Sequence, residues 1–190
     1  GKYFTEVLDD IDETYLMIVD IDGYELKHKI PMGKTGIDNF YWLTNNRLLF
    51  ESDGAMYVMD IDGRNALRIA SRRAKNPSYD WRSFYKTVRY NSVIGLLPEK
   101  KSHVLLEMHD YHGYASIKEV NIFTGSDYYV IHGENYKINK WITDANGKVR
   151  LGIRFNEQST TYYKFNESEK KIEPFDVIID GSRHKLDVSA

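Results

Sequence analysis

The chain has no cysteine among its 190 residues. That excludes a disulfide framework, a zinc–thiolate centre and a cysteine nucleophile, and it leaves the redox compartment open. It has no apolar run near the ~20 residues that span a bilayer, and no signal peptide is visible. No membrane partner is therefore expected. The first residues are Gly1-Lys2 with no initiating Met, so a missing leader carries no information about the native N-terminus. Charge of one sign is also lacking: the net value is −2, which offers no electrostatic reason for a nucleic-acid partner. What is present is a core-forming composition, 42% hydrophobic and 14% aromatic, which argues against disorder.

Short apolar segments rich in β-branched and aromatic residues recur throughout. They are "YLMIVDI" (15–21), "RLLFES" (47–52), "AMYVMDI" (55–61), "SVIGLLPE" (92–99), "HVLLEM" (103–108), "SIKEVNIF" (116–123), "DYYVIHG" (127–133), "KINKWIT" (137–143), "KVRLGIRF" (148–155) and "TTYYKF" (160–165). Gly, Asn, Asp or Pro bounds each, which is the signal for strands joined by tight turns. Asp-Gly at 22–23, 53–54 and 62–63 and Asn-Gly at 146–147 are hairpin dipeptides, because both residue types tolerate positive φ. Only residues 71–90 have room for a turn or two of helix.

The segments group into a repeat: strand, turn, strand, turn, strand, Asp-x-Asp-Gly or its equivalent, strand. The turn glycines 23, 63 and 125 stand 40 and 62 residues apart, and the longer interval contains an extra segment of twenty residues. A four-stranded unit of ~40–45 residues is the period of a β-propeller blade. The expected fold is all-β, a propeller or partial propeller of about four four-stranded antiparallel blades. The blades are expected at 1–36 (partial, with 15–30 as its outer two strands), 37–70, 87–133 and 134–175. An inter-blade insertion occupies 71–86, and a further blade begins at 176–190.

Two metal readings are tested by spacing. Asp20/Asp22, Asp60/Asp62 and Asp144/Asn146 sit two apart before Gly, like the start of a calcium loop. Such a loop needs a bidentate Glu at position twelve, and those positions hold Pro31 and Ser71 for the first two. Turn chemistry needs nothing further, so Asp-x-Asp-Gly is read as the punctuation between third and fourth strands. His109-Asp110-Tyr111-His112 precedes Gly113 at a hairpin bend with no third ligand nearby, and is read as a polar turn. His28, His103, His132 and His184 stand alone, with no Ser or Asp partner visible. No catalytic, cofactor or metal residue is assigned.

The least regular stretch is "SRRAKNPSYDWRSFYK" (71–86). It interleaves Arg72, Arg73 and Arg82 with Tyr79, Trp81 and Tyr85, residue types enriched at interface hot spots. Two readings stand: an elaborated loop whose aromatics pack on its own fold, or a contact with another domain or partner. Single-strand nucleic-acid binding is disfavoured because nothing else in the chain is basic.

"YWLTNNRLLFES", "MYVMDIDGRNALRI" and "WITDANGKVRLGIRF" resemble the N-terminal propeller of the prolyl oligopeptidase family of serine peptidases, in its bacterial acylaminoacyl-peptidase and dipeptidyl-aminopeptidase-like branch. Trp42, Arg47 and Phe50 fit one family pattern. Tyr57, Asp60, Asp62 and Gly63 fit a second, and Trp141, Thr143, Asp144, Gly147, Val149 and Arg150 a third. The resemblance implies a non-catalytic propeller that restricts peptide access to a hydrolase domain. It implies a bacterial source, with cytoplasm or periplasm undecided. The hydrolase's Gly-x-Ser-x-Gly elbow does not occur here, so the family's catalytic residues map to no position. The alternative is a stand-alone β-repeat binding module. Trp42 and Trp141, at matching places in two first strands, are expected as core anchors. Open blade edges near 3–30 and 160–185 are expected to pair in a homodimer.

Overall fold

The protein is described by a computed structural model, which covers residues 2–34, 36–71, 88–89, 92–110, 112–155, 160–179, 182–185 and 187–188. Many of its strands alternate buried and more exposed residues, and its sheets run largely up and down in chain order. The chain forms two units, Gly1–Arg89 with Asn121–Ser126, and Tyr90–Val120 with Asp127–Ala190.

In the first unit β1 (Tyr3–Asp9), β2 (Thr14–Asp20) and β3 (Glu25–Gly33) pair antiparallel in that order. β4 (Asn39–Thr44), β5 (Arg47–Ser52), β6 (Ala55–Asp60) and β7 (Leu67–Ser71) make a second meander. The short β8 (Val88–Arg89) joins β7 in parallel, the one departure here from the expected antiparallel pairing. Leu16, Ile18 and Ile30 pack with Leu48, Phe50 and Met59 to form the core between these two sheets.

In the second unit β9 (Ser92–Gly95), β10 (His103–His109), β11 (Ala115–Asn121) and β12 (Asp127–Ile131) form one meander. β13 (Lys140–Thr143), β14 (Val149–Phe155), β15 (Thr160–Asn166) and β16 (Lys171–Pro174) form the next. Their shared core contains Leu105, Ile117, Ile131, Ile138, Trp141 and Phe165. The meanders at 39–71, 92–131 and 140–174 each have four strands in sequence order, which is the blade unit of a propeller. The fold class is all-β, built of propeller-type blades.

Three details differ from the sequence reading. β1, written "YFTEVLD", adds a third strand to the first sheet where two were expected. A single helical turn, α1 (Gly133–Tyr136), replaces part of the extended chain between β12 and β13. It lies so close to β11 that a Cβ on Gly133 would stand 2.6 Å from the Ala115 carbonyl oxygen. The tail at 176–190 is only partly a new sheet: β17 (Asp176–Ile179) and β18 (Ser182–Lys185) pair with each other. β19 (Asp187–Val188) instead returns to Thr160–Thr161 of β15. β16 pairs with β15 only from Tyr163 to Asn166, so the start of β15 has an open edge that β19 takes.

The turns show why the Asp and Asn residues recur. Asp53 and Gly54 both have positive φ, 48° and 65°, which suits the two-residue link from β5 to β6. Asp20 Oδ1 accepts the backbone N–H of Asp22, and Asp62 Oδ1 that of Arg64. Asn121 and Asn166 accept backbone N–H groups at the same point in the later blades. In the Asp60–Gly63 turn, the Asp60 carboxylate meets Arg47 and Asn65 at 2.5 and 2.6 Å. Asp60 thus already has a cation, the Arg47 guanidinium, as its partner. Adding millimolar calcium or EDTA is expected to leave the melting temperature unchanged. Calcium at a hundred times its Kd would add ~2.7 kcal/mol, and a rise of that order would overturn the turn assignment.

Candidate functional site

Arg72, Arg73, Tyr79, Trp81, Arg82 and Tyr85, the contact residues expected from sequence, lie outside the described residues. Among the described ones, buried polar side chains gather in three places.

The first is Arg47 at the start of β5. Its side chain is 6% exposed and its guanidinium donates to Asp60 across the β5–β6 pair. It also donates to the carbonyls of Ile122 and Asn65, and stacks 4.7 Å from the centre of the Phe123 ring. The hydrogen bond from Asn65, and after it the Arg47 guanidinium, hold the Asp60 carboxyl below its ordinary 3.8. A carboxylate with a depressed folded-state pKa stabilises the fold fully above its unfolded pKa, and that contribution is lost as pH falls through the folded value. The urea midpoint of the parent chain should therefore exceed that of Asp60→Asn at pH 6, and the gap should close below the ordinary aspartate range. A gap that persists unchanged into that acid range would show that Asp60 acts through shape rather than charge.

The second place is Glu119 on β11, 8% exposed. Lys100 Nζ and Tyr128 Oη both donate to it. His103 Nε2 stands 3.9 Å from Glu119 Oε1, while its Nδ1 meets Ser102 Oγ at 2.8 Å. His103, which looked isolated in sequence, thus has a serine neighbour and a carboxylate close by. A separation of 3.9 Å is too long for a hydrogen bond, and the carboxylate's bonds come from Lys100 and Tyr128. The group braces the loop before β10 against β11 and β12. The hydrogen bond to Glu119 raises the Lys100 pKa, whereas burial, ahead of the bond to Glu119, raises that of Tyr128.

The third place is a recess of about 160 Å³ in the second unit, lined by His109, Asp110, Ser116, Tyr129, His132 and Glu134 among others. Asp110 Oδ1 accepts the backbone N–H groups of His112 and Tyr114, and Gly113 turns the chain with φ of 78°. His109 Nε2 is 3.3 Å from Glu107 Oε1. Ser116 Oγ accepts the N–H of Gly133, and the Tyr129 and His132 rings stack at 4.1 Å. Asp110 thus caps the backbone leading to Gly113 and Tyr114. No group of three His, Cys, Asp or Glu able to hold a metal ion occurs among the described residues.

Glu107 itself went unnoticed in sequence. It is 4% exposed, and its Oε2 accepts the backbone N–H of Trp141 at 2.9 Å, tying β10 to the first strand of the next blade. A signal existed: "RLLFE" and "HVLLE" end in Glu at the same place in two second strands, and Glu51, 2% exposed, is the counterpart. A carboxylate repeated in an otherwise apolar strand marks a buried acceptor rather than a surface charge. The first unit also has a groove of about 360 Å³ lined by Pro31, Met32, Phe50 and Tyr57 together with Ser52 and Asp53.

The up-and-down sheets and strand-bracing polar groups define a propeller-type scaffold. No protein-family model matches the chain, and no curated protein is similar to it in sequence. In structure it is similar to a candidate 6-phosphogluconolactonase from Bacteroides uniformis, over the whole of this chain and 52% of that one, at 14% identity and a TM-score of 0.44. It is also similar to TolB from Acinetobacter baumannii, over 93% of this chain and 46% of that one, at 9% identity and a TM-score of 0.40. A third likeness is to the tricorn protease, over 92% of this chain and 22% of that one, at 14% identity and a TM-score of 0.35. The chain thus spans about half the length of the first two. The blade assignment stands on this chain's own strand order.

Proposed function

We propose that this chain is the non-catalytic propeller portion of a prolyl oligopeptidase-like serine peptidase, where it restricts peptide access to a hydrolase domain. The observation that carries the reading is what the resembling residues do. Trp141 fills the core, and Asp144 Oδ1 caps its turn by accepting the N–H groups of Asn146 and Lys148. Gly147 takes a φ of 78°, Val149 is buried, and Arg150 donates to Asp144. Each of these residues builds the blade, which supports a non-catalytic role for this chain. In this reading Arg72, Arg73, Tyr79, Trp81, Arg82 and Tyr85 supply the interdomain contact.

The native reading frame tests it. A Gly-x-Ser-x-Gly elbow followed by an acid and a His in the same frame supports the gating role. A frame without them leaves the stand-alone binding module. The purified chain should not turn over peptidyl or acyl-ester substrates. Hydrolysis that survives purification and maps by active-site labelling to a serine of this chain would overturn the non-catalytic assignment.

A further inference from the structure

The first sheet has two unlike faces. Thr5, Val7, Leu16, Ile18 and Ile30 point to the core between β1–β3 and β4–β7. On the other face the strand pairing sets three rows: Phe4, Val19 and Leu26; Glu6, Met17 and Lys29; Leu8, Tyr15 and Pro31. Phe4, Leu26 and Leu8 are 53, 51 and 46% exposed. Large apolar side chains gathered on one exposed sheet face are what an interaction surface presents.

We propose that this face is a self-association surface, covered by the same face of a second copy about a two-fold axis parallel to the strands. The charge pattern selects both the occupant and the axis. The only charged side chains in the three rows are Glu6 at one end of the middle row and Lys29 at the other, with Met17 between them. Two identical sheets can stack face to face about an axis along the strands or across them. An axis across the strands lays β1 on β1, so Glu6 meets Glu6 and Lys29 meets Lys29. An axis along the strands lays β1 on β3 of the second copy. Glu6 then meets Lys29 at both ends, Phe4 meets Leu26, Leu8 meets Pro31, and Met17 meets itself at the centre. A two-fold contact must be self-complementary in this way, and like charges placed opposite one another oppose association. Lys29 is held on the face by its own Tyr15, whose ring centre is 3.9 Å from Nζ. Within one chain Glu6 and Lys29 are two strand spacings apart, about 10 Å, which leaves both to pair across the interface.

The face is small. Three strands of about five residues cover roughly 15 by 17 Å, less than the ~800 Å² per partner of a standard interface. The dimer should therefore be reversible, with a dissociation constant in the micromolar range.

Sedimentation velocity of the full chain across the micromolar range is the test. A monomer–dimer equilibrium is expected. Glu6→Lys and Lys29→Glu should each weaken it by about tenfold or more, and the double variant Glu6→Lys/Lys29→Glu should restore it. All three change exposed positions, and an unchanged denaturant midpoint confirms that they fold. A chain that stays monomeric at every concentration overturns the proposal. So does a dimer indifferent to the single changes, or a double variant no tighter than the singles.

Discussion

Replacing Trp141 with Ala is expected to lower the unfolding free energy by about 3–5 kcal/mol, the range for emptying a buried aromatic site. The side chain is 1% exposed and lies edge-on to Tyr136 and Phe165 at 5.8 and 5.5 Å between ring centres. Its indole N–H donates to the Ala115 carbonyl at 2.7 Å, so truncation also removes that buried hydrogen bond. The neighbouring strand leaves the cavity little means to close. Gly152, directly opposite Trp141 in β14, would place a Cβ only 3.0 Å from the indole ring. Guanidinium denaturation checks the expectation. A variant with nearly the parent midpoint would mean that the ring is not the anchor of the second unit. Trp42 provides the contrast. It is only partly buried, stacked on Tyr3 at 6.1 Å at the margin of the first unit's core. The expectation of equal anchoring is corrected for Trp42, whose truncation should cost distinctly less than that of Trp141.

Arg47→Leu is expected to cost about 3 kcal/mol, the lower end for breaking a buried ion pair. Asp60 is 32% exposed and can recover some hydration when its partner is lost. The Ile122 carbonyl, which accepts from the same guanidinium in a buried setting, loses its donor as well. Replacing both members, as in Arg47→Leu with Asp60→Leu, should recover most of the loss, because desolvating two charges offsets much of their attraction. Urea midpoints of the two single variants and the double variant close the cycle. A double variant as unstable as the sum of the singles would show that Arg47 acts through its other contacts rather than through Asp60.

The strand pattern was legible because it is local. Alternation, Asp-Gly and Asn-Gly turns and a repeat of ~40–45 residues are written in consecutive positions. The strands of the meanders at 39–71, 92–131 and 140–174 lie on these local patterns. β1 was passed over because Glu6 and Asp9 dilute its apolar alternation, and its place in a sheet depends on β2. α1 was invisible because four residues carry no helical period, and the turn exists only because Gly133 can approach Ala115.

The sequence by itself determined the secondary-structure class, the turn positions and the role of Asp and Asn as caps, since each depends on backbone preferences within a few residues. The tertiary structure alone decided which matching residues differ in burial, as Trp42 and Trp141 do, since exposure depends on what packs from other strands. It alone paired Arg47 with Asp60, thirteen residues on, and gave the Glu107 carboxylate to the Trp141 backbone, thirty-four residues on. Such pairings depend on sheet register and on the approach of one sheet to the next. A single blade's sequence encodes its own strands, and its partners exist only once the neighbouring sheet is in place.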